Sequence, residues 1–192
     1  MKKVTELKII NHSARPLSFK EKYSDLSGCI FEGDLDIDGV GINSLEGCPD
    51  IVTGVFSCAE NYLISLIGGP SEVGDYFSCA NNKLTNLIGG PATIGSSANG
   101  LHFFYDCSNN NLESLKGCPK RLSGVAASFS FIGNKLEEED FLKFICKGRR
   151  IRVDTNNVEV DFSKEFVLWA FKMRERTNGN YEKLLRVYKL LR

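Results

Sequence analysis

Phe56-Ser57-Cys58-Ala59-Glu60-Asn61-Tyr62-Leu63, followed by Leu66-Ile67-Gly68-Gly69-Pro70, decides the fold because both runs return along the chain. The pattern Phe56-x-Cys58-x-x-Asn61-x-Leu63 recurs as Phe77-x-Cys79-x-x-Asn82-x-Leu84 and Tyr105-x-Cys107-x-x-Asn110-x-Leu112. A degenerate copy is Phe129-x-Phe131-x-x-Asn134-x-Leu136, and an earlier one, Leu35-x-Ile37-x-x-Val40-x-Ile42, has Val in the Asn position. The second run interleaves as Leu45-Glu46-Gly47-Cys48-Pro49, Leu87-Ile88-Gly89-Gly90-Pro91 and Leu115-Lys116-Gly117-Cys118-Pro119. Asn61 to Asn82 is 21 residues, Asn82 to Asn110 is 28 and Asn110 to Asn134 is 24. The extra residues fall near Gly95–Phe103 and Val125–Ser128. A solenoid tolerates insertions kept to one sector, because each coil needs only its core positions back in register.

The chemistry of each position follows from that reading. Phe56-Ser57-Cys58 alternates with the period of a strand, so Phe56 and Cys58 point inward and Ser57 outward. The Asn amide is expected to satisfy backbone groups of neighbouring coils. Leu63 and Leu66 close the core, and Pro49, Pro70, Pro91 and Pro119 hold the return path extended.

These residues carry a family resemblance. Phe/Tyr-x-Cys-x-x-Asn-x-Leu-x-x-Leu resembles the leucine-rich-repeat consensus Leu-x-Leu-x-x-Asn/Cys-x-Leu over residues 33–136. The period and the Pro resemble the compact repeats of bacterial secreted effectors. The Leu-x-x-Leu-x-Gly-x-Pro form resembles repeats encoded by phages and some bacteria. The resemblance implies an α/β chain: a solenoid of about five coils with short parallel strands on a concave face. It implies that this face binds another protein, and it is silent on which one.

The remaining sequence is divided accordingly: residues 1–32 as a front cap, 33–136 as the solenoid, 137–192 as a helix/hairpin/helical cap. In the front cap, Val4-x-x-Leu7-x-Ile9-Ile10 suits a strand or short helix ended by Pro16. In the back cap, Glu137–Asp140 should open a helix. Ile151–Val153 and Val158–Val160 around Asp154–Asn157 read as a hairpin. Ser163 should N-cap a helix to about Arg176 with Phe166, Trp169, Ala170 and Met173 on one face. A last helix should turn Tyr181, Leu184, Leu185, Tyr188 and Leu191 inward.

Hydrophobic residues make up 42% of the 192, and Lys+Arg and Asp+Glu are both 24, so net charge favours neither nucleic acid nor membrane. The distribution is uneven: residues 1–136 hold 11 basic and 14 acidic residues, whereas 141–192 hold 13 basic and 6 acidic. No apolar h-region opens the chain, and no run approaches the roughly 20 residues of a membrane span, so neither signal peptide nor span is expected. Seven Cys with no such signal fit reduced thiols and a cytoplasmic protein, in a host's cytoplasm if the chain is phage-encoded. Cys58, Cys79 and Cys107 stack one per coil as small core residues, without Cys-x-x-Cys and with His12 and His102 the only histidines; no metal or cofactor is expected.

The candidate partner surface is the outward strand face with its inserted loop: Asp36, Asp38, Ser57, Glu60, Tyr76, Ser78, Asn81, His102, Phe103, Phe104 and Asp106. Tyr76 and Phe104 fall in adjacent coils and read as aromatic anchors; the competing reading folds Phe103 or Phe104 back onto the core. Asp34-Leu35-Asp36-Ile37-Asp38-Gly39 is not a calcium loop, since its carboxylates alternate with inward Leu35 and Ile37. A second candidate is the basic tail, with Arg149, Arg150, Arg152, Lys183, Arg186 and Lys189, which would suit nucleic acid, an acidic partner or a second copy of the chain. No catalytic motif is present; Cys146, beside Arg149 and Arg150, is the one nucleophile an effector-like enzyme would use. The expectation is a non-catalytic protein-interaction module, an inhibitor or modulator of a host or defence protein if phage-encoded. Homo-oligomerisation through Leu101–Phe104 or the last helix stays open.

Overall fold

The computed structural model describes residues 1–95, 102–119, 121–122, 126–146 and 153–191. In chain order its elements are β1 (Lys2–Val4), β2 (Leu17–Ser18), α1 (Phe19–Lys22), β3 (Cys29–Phe31), β4 (Leu35–Asp36), β5 (Ile42–Ser44), β6 (Ile51–Val52), β7 (Phe56–Ser57), β8 (Glu72–Val73), β9 (Phe77–Ser78), β10 (Thr93–Ile94), β11 (His102–Asp106), β12 (Arg121–Leu122), β13 (Ala126–Ser130), α2 (Glu138–Cys146), β14 (Val153–Glu159), α3 (Lys164–Arg176) and α4 (Tyr181–Leu190). All strand pairing is parallel, and the strands stack as a β-solenoid of about four turns. The expected α/β solenoid with an α-rich C-terminal cap is thus present.

The Phe/Tyr-x-Cys segments and their two degenerate copies lie in one six-stranded sheet, β14-β13-β11-β9-β7-β4, with β14 added at its end. Its register aligns Leu35, Phe56, Phe77, Tyr105 and Phe129, so one aromatic or leucine per coil enters the core. We call it the asparagine sheet, after the residue that follows β7, β9, β11 and β13: Asn61, Asn82, Asn110 and Asn134. A second parallel sheet, β1-β3-β6-β8-β10-β12, was not expected from the sequence. In the repeats its strands begin two residues after each proline, and its inward residues Val52, Val73 and Ile94 are fully buried. Pro49, Pro70 and Pro91 therefore lead into strands of this leading sheet rather than into an unpaired return.

Two glycine positions fix the corners. Leu66 O accepts from Gly69 N at 3.0 Å and Leu87 O from Gly90 N at 3.1 Å, with Gly68 and Gly89 at φ +91° and +89°. That is the pattern of a type II turn, whose third residue needs positive φ; it explains Leu-x-Gly-x-Pro. Between the two sheets, a Cβ on Gly74 would lie 1.7 Å from the Thr53 carbonyl oxygen, so the chain passes there only as glycine.

The asparagines join the coils. Asn82 Oδ1 accepts from Leu63 N at 2.9 Å, and its Nδ2 donates to Cys58 O at 3.0 Å, both in the coil before. The same amide turns back to Cys79 O and Ala80 O at 3.2 Å. Asn110 and Asn134 repeat the scheme one coil further along. Val40 stands in the first coil because the level before it, β2 with α1, presents no equivalent coil to bond.

The caps depart from expectation in four places. β3 pairs in the leading sheet, so the solenoid begins inside the segment read as front cap, and of Val4–Ile10 only Val4 lies in a strand. Ile9 and Ile10 are exposed. The hairpin read at 151–160 is a single strand over its described part: Val153–Glu159 adds to β13 in parallel, with a register shift between Ala127 and Phe129. Parallel pairing with the last coil overrides the turn preference of Asn156-Asn157. Leu191, expected inward, is exposed just beyond α4. Two helix starts form as expected: Ser163 accepts from Phe166 N at 3.1 Å, and α2 follows Glu137 and sets Phe144 edge-on against Phe129 and Phe131 at 5.1 and 5.4 Å.

Candidate functional site

The outer face of the asparagine sheet is built from the residues that alternate with the buried ones. Tyr76 and Phe104, one per adjacent coil, stack with centroids 5.2 Å apart and planes 2° apart. Both are half-buried and neither belongs to the core cluster, so Phe104 does not fold back into the core. Burial pushes the Tyr76 phenol above its usual range, a hydrogen bond with Ser78 pulls it down, and the carboxylates of Asp106 and Asp38 push it further up.

Around the stack the face is low and acidic. Ser57 and Ser78 are only 7% and 3% exposed, and Ala59 and Ala80 7% and 4%, so these positions form its floor. Ser57 donates its hydroxyl to Asp38 Oδ1 at 2.6 Å, and the same oxygen accepts from Ala59 N at 2.7 Å. Asp36 accepts from Asp38 N, and Asp106 from Ser108 N, both at 2.9 Å. Glu60 and Asn81, expected on the outward strand face, lie just past the strands, exposed, at φ +56° and +53°, and Asn109 matches them at +52°. Gly39 and Gly133 occupy the same column at +60° and +71°. Left-handed backbone at each turn explains the run of Gly and Asn there, a signal legible in the sequence but not drawn from it; Glu60 is the strained member.

His102 and Phe103 open β11, but their side chains lie outside what the structure describes. So do Leu101 and the first half of the basic tail, Arg149, Arg150 and Arg152. Lys183, Arg186 and Lys189 are exposed along α4, and Lys189 lies 3.6 Å from Glu139. Tyr188 on the inner side donates its hydroxyl to Glu138 Oε2 at 2.6 Å, which fixes α4 to the start of α2.

The thiols are core groups. Cys58, Cys79 and Cys107 are fully buried; Cys58 donates to Ser78 O at 3.3 Å and Cys79 to Cys107 Sγ at 3.5 Å. Burial pushes Cys58 and Cys107 well above the ordinary thiol range. Cys146, the one nucleophile the sequence offered, is half-buried; burial raises its thiol against an opposing pull from Arg174. Among the described residues no group of His, Cys, Asp or Glu is arranged to hold a metal, and no helix is long and apolar enough to cross a membrane. Comparison of the chain with family models, with curated proteins and with solved structures finds no match to any of them.

Proposed function

We propose that the protein is a non-catalytic protein-interaction module of the leucine-rich-repeat kind, binding its partner on the outer face of the asparagine sheet. The observation that carries this is the Tyr76–Phe104 stack, a half-buried aromatic pair held outside the core cluster on the outward positions of the sheet. Half-buried aromatics on a rigid sheet lose little entropy on contact and supply large apolar area, which is why such residues anchor interfaces. The leucine-rich-repeat reading is supported by the Asn ladder and by the register of the Phe-x-Cys strands. The repeats' likeness to phage-encoded ones supports a modulator of a host or defence protein, acting in the cytoplasm.

The test is an affinity capture from nuclease-treated bacterial lysate, run beside a bait carrying Tyr76→Ala, Phe104→Ala and Asp106→Ala. A stoichiometric protein retained by the native bait and lost from the variant supports the reading. Capture of nuclease-sensitive material alone, lost steeply with salt, sinks it in favour of nucleic acid on the basic tail around Lys183, Arg186 and Lys189.

A further inference from the structure

Residues 23–82 contain ten acidic residues and no Lys or Arg, although the chain has 24 Lys+Arg. Where this stretch leaves the asparagine sheet it is partly neutralised from within: Lys3 pairs with Glu32 and Lys20 with Glu46. On the sheet's outer face it is not. Among the described residues none of the ion pairs involves Asp34, Asp36, Asp38, Glu60 or Asp106. The fold uses some of these carboxylates as acceptors, Asp34 for Val55 N and Asp36 and Asp106 for N–H groups two residues on. An asparagine would accept the same bonds without charge, as the chain's own asparagines do at Asn61 and Asn82. The charge is therefore surplus to the fold, and it is of one sign.

We propose that this face docks an extended Lys/Arg-rich segment of a partner protein, with cationic side chains against the Tyr76–Phe104 stack and between Asp36, Asp38 and Asp106. The inference rests on the reading that the face binds protein, and it names the partner's chemistry. A guanidinium suits the site twice over, since it stacks on an aromatic face and pairs bidentately with carboxylates. Asp36 and Asp106 occupy equivalent columns three strands apart. At about 4.8 Å per strand that is roughly 14 Å, which an extended peptide covers in about four residues. The bound segment carries cations at that spacing. Nucleic acid is repelled by the same field.

The experiment selects an mRNA-displayed random peptide library on the immobilised full-length protein at physiological salt. Enriched sequences are then titrated against Asp36→Asn/Asp106→Asn, against Tyr76→Ala/Phe104→Ala, and against Glu72→Gln/Glu113→Gln as a charge-matched control, all with melting curves recorded. Enrichment of Lys/Arg-containing peptides is expected, with affinity weakened about tenfold or more in the first two variants and less than about twofold in the control. Acidic or uncharged sequences that are still lost with Tyr76→Ala/Phe104→Ala overturn the basic partner and leave the binding face standing. Basic sequences weakened equally by the control reveal only general attraction to an acidic protein and overturn the proposal. Enriched sequences indifferent to Tyr76→Ala/Phe104→Ala overturn the face itself. An empty library, with self-association abolished by Lys183→Glu/Arg186→Glu, gives the face to a second copy of this chain and overturns the partner proposed.

Discussion

One asparagine per coil carries more of the fold than its size suggests. Asn82 is 8% exposed and makes four hydrogen bonds, two of them to the coil before. Replacing it with Ala strands Leu63 N away from water and removes one of the two amide donors from each of Cys58 O and Cys79 O, which keep Asn61 and Asn110; leaving a buried polar group unpaired costs more than a hydrogen bond contributes when made. Asn82→Ala should lower stability by about 2–4 kcal/mol in urea unfolding; a loss under about 1 kcal/mol would mean that water replaces the amide. Tyr105 tests the same physics with the opposite sign. It holds the column filled by Phe56, Phe77 and Phe129, and its fully buried hydroxyl finds no nitrogen or oxygen partner, lying beside the Cys107 thiol. Tyr105→Phe should stabilise by about 1 kcal/mol; a destabilised variant would show that the hydroxyl has a partner in solution.

At the scale of elements, the open ends are the weak points of a solenoid, and α2 closes the last coil here. Phe144 is 3% exposed and meets Phe129 and Phe131 edge-on. Phe144→Ala leaves a cavity under the cap and should cost about 3–5 kcal/mol. Native-state hydrogen exchange should quicken in β13 before β7; uniform loss across all coils would show that the repeat array unfolds as one unit. The asparagine sheet was legible in the sequence because β7, β9, β11 and β13 repeat both an inward ring and a following Asn. The leading sheet was not, since two-residue strands between Pro and Gly read as connectors. Its signal was an apolar residue three positions after each proline, Val52, Val73 and Ile94. On the outer face of the asparagine sheet, Tyr76, Phe104 and Asp106 were legible from alternation, whereas the depth of Ser57 and Ser78 was not, because it depends on the spacing of neighbouring coils. The parallel course of β14 depends on an unpaired edge of β13, which local residue preference does not encode.

For the whole molecule, the thiols tie stability to pH and separate a scaffold from an enzyme. Burial raises Cys48, Cys58 and Cys107 well above their ordinary value of 9.0. Below that value folded and unfolded chains hold the same thiol protons, and the stabilisation is fully present. Above it the unfolded chain releases protons that the folded chain retains, so stability falls as pH rises, by up to about 1.4 kcal/mol per pH unit for each ionised thiol. The urea midpoint should therefore hold steady from neutral pH and decline above about pH 9. Cys58→Ala, at whatever stability it starts from, should show a shallower decline by one thiol's share. A midpoint flat through that range would mean that water reaches these thiols in the native state. The same burial keeps Cys48, Cys58 and Cys107 protonated and slow toward alkylating reagents at neutral pH, and Cys146 with them, since its thiol is raised despite Arg174. Fast labelling of Cys146 in the folded chain would restore the nucleophile that an enzymatic role requires; slow labelling of all seven leaves the surface, not the thiols, to account for what the protein does.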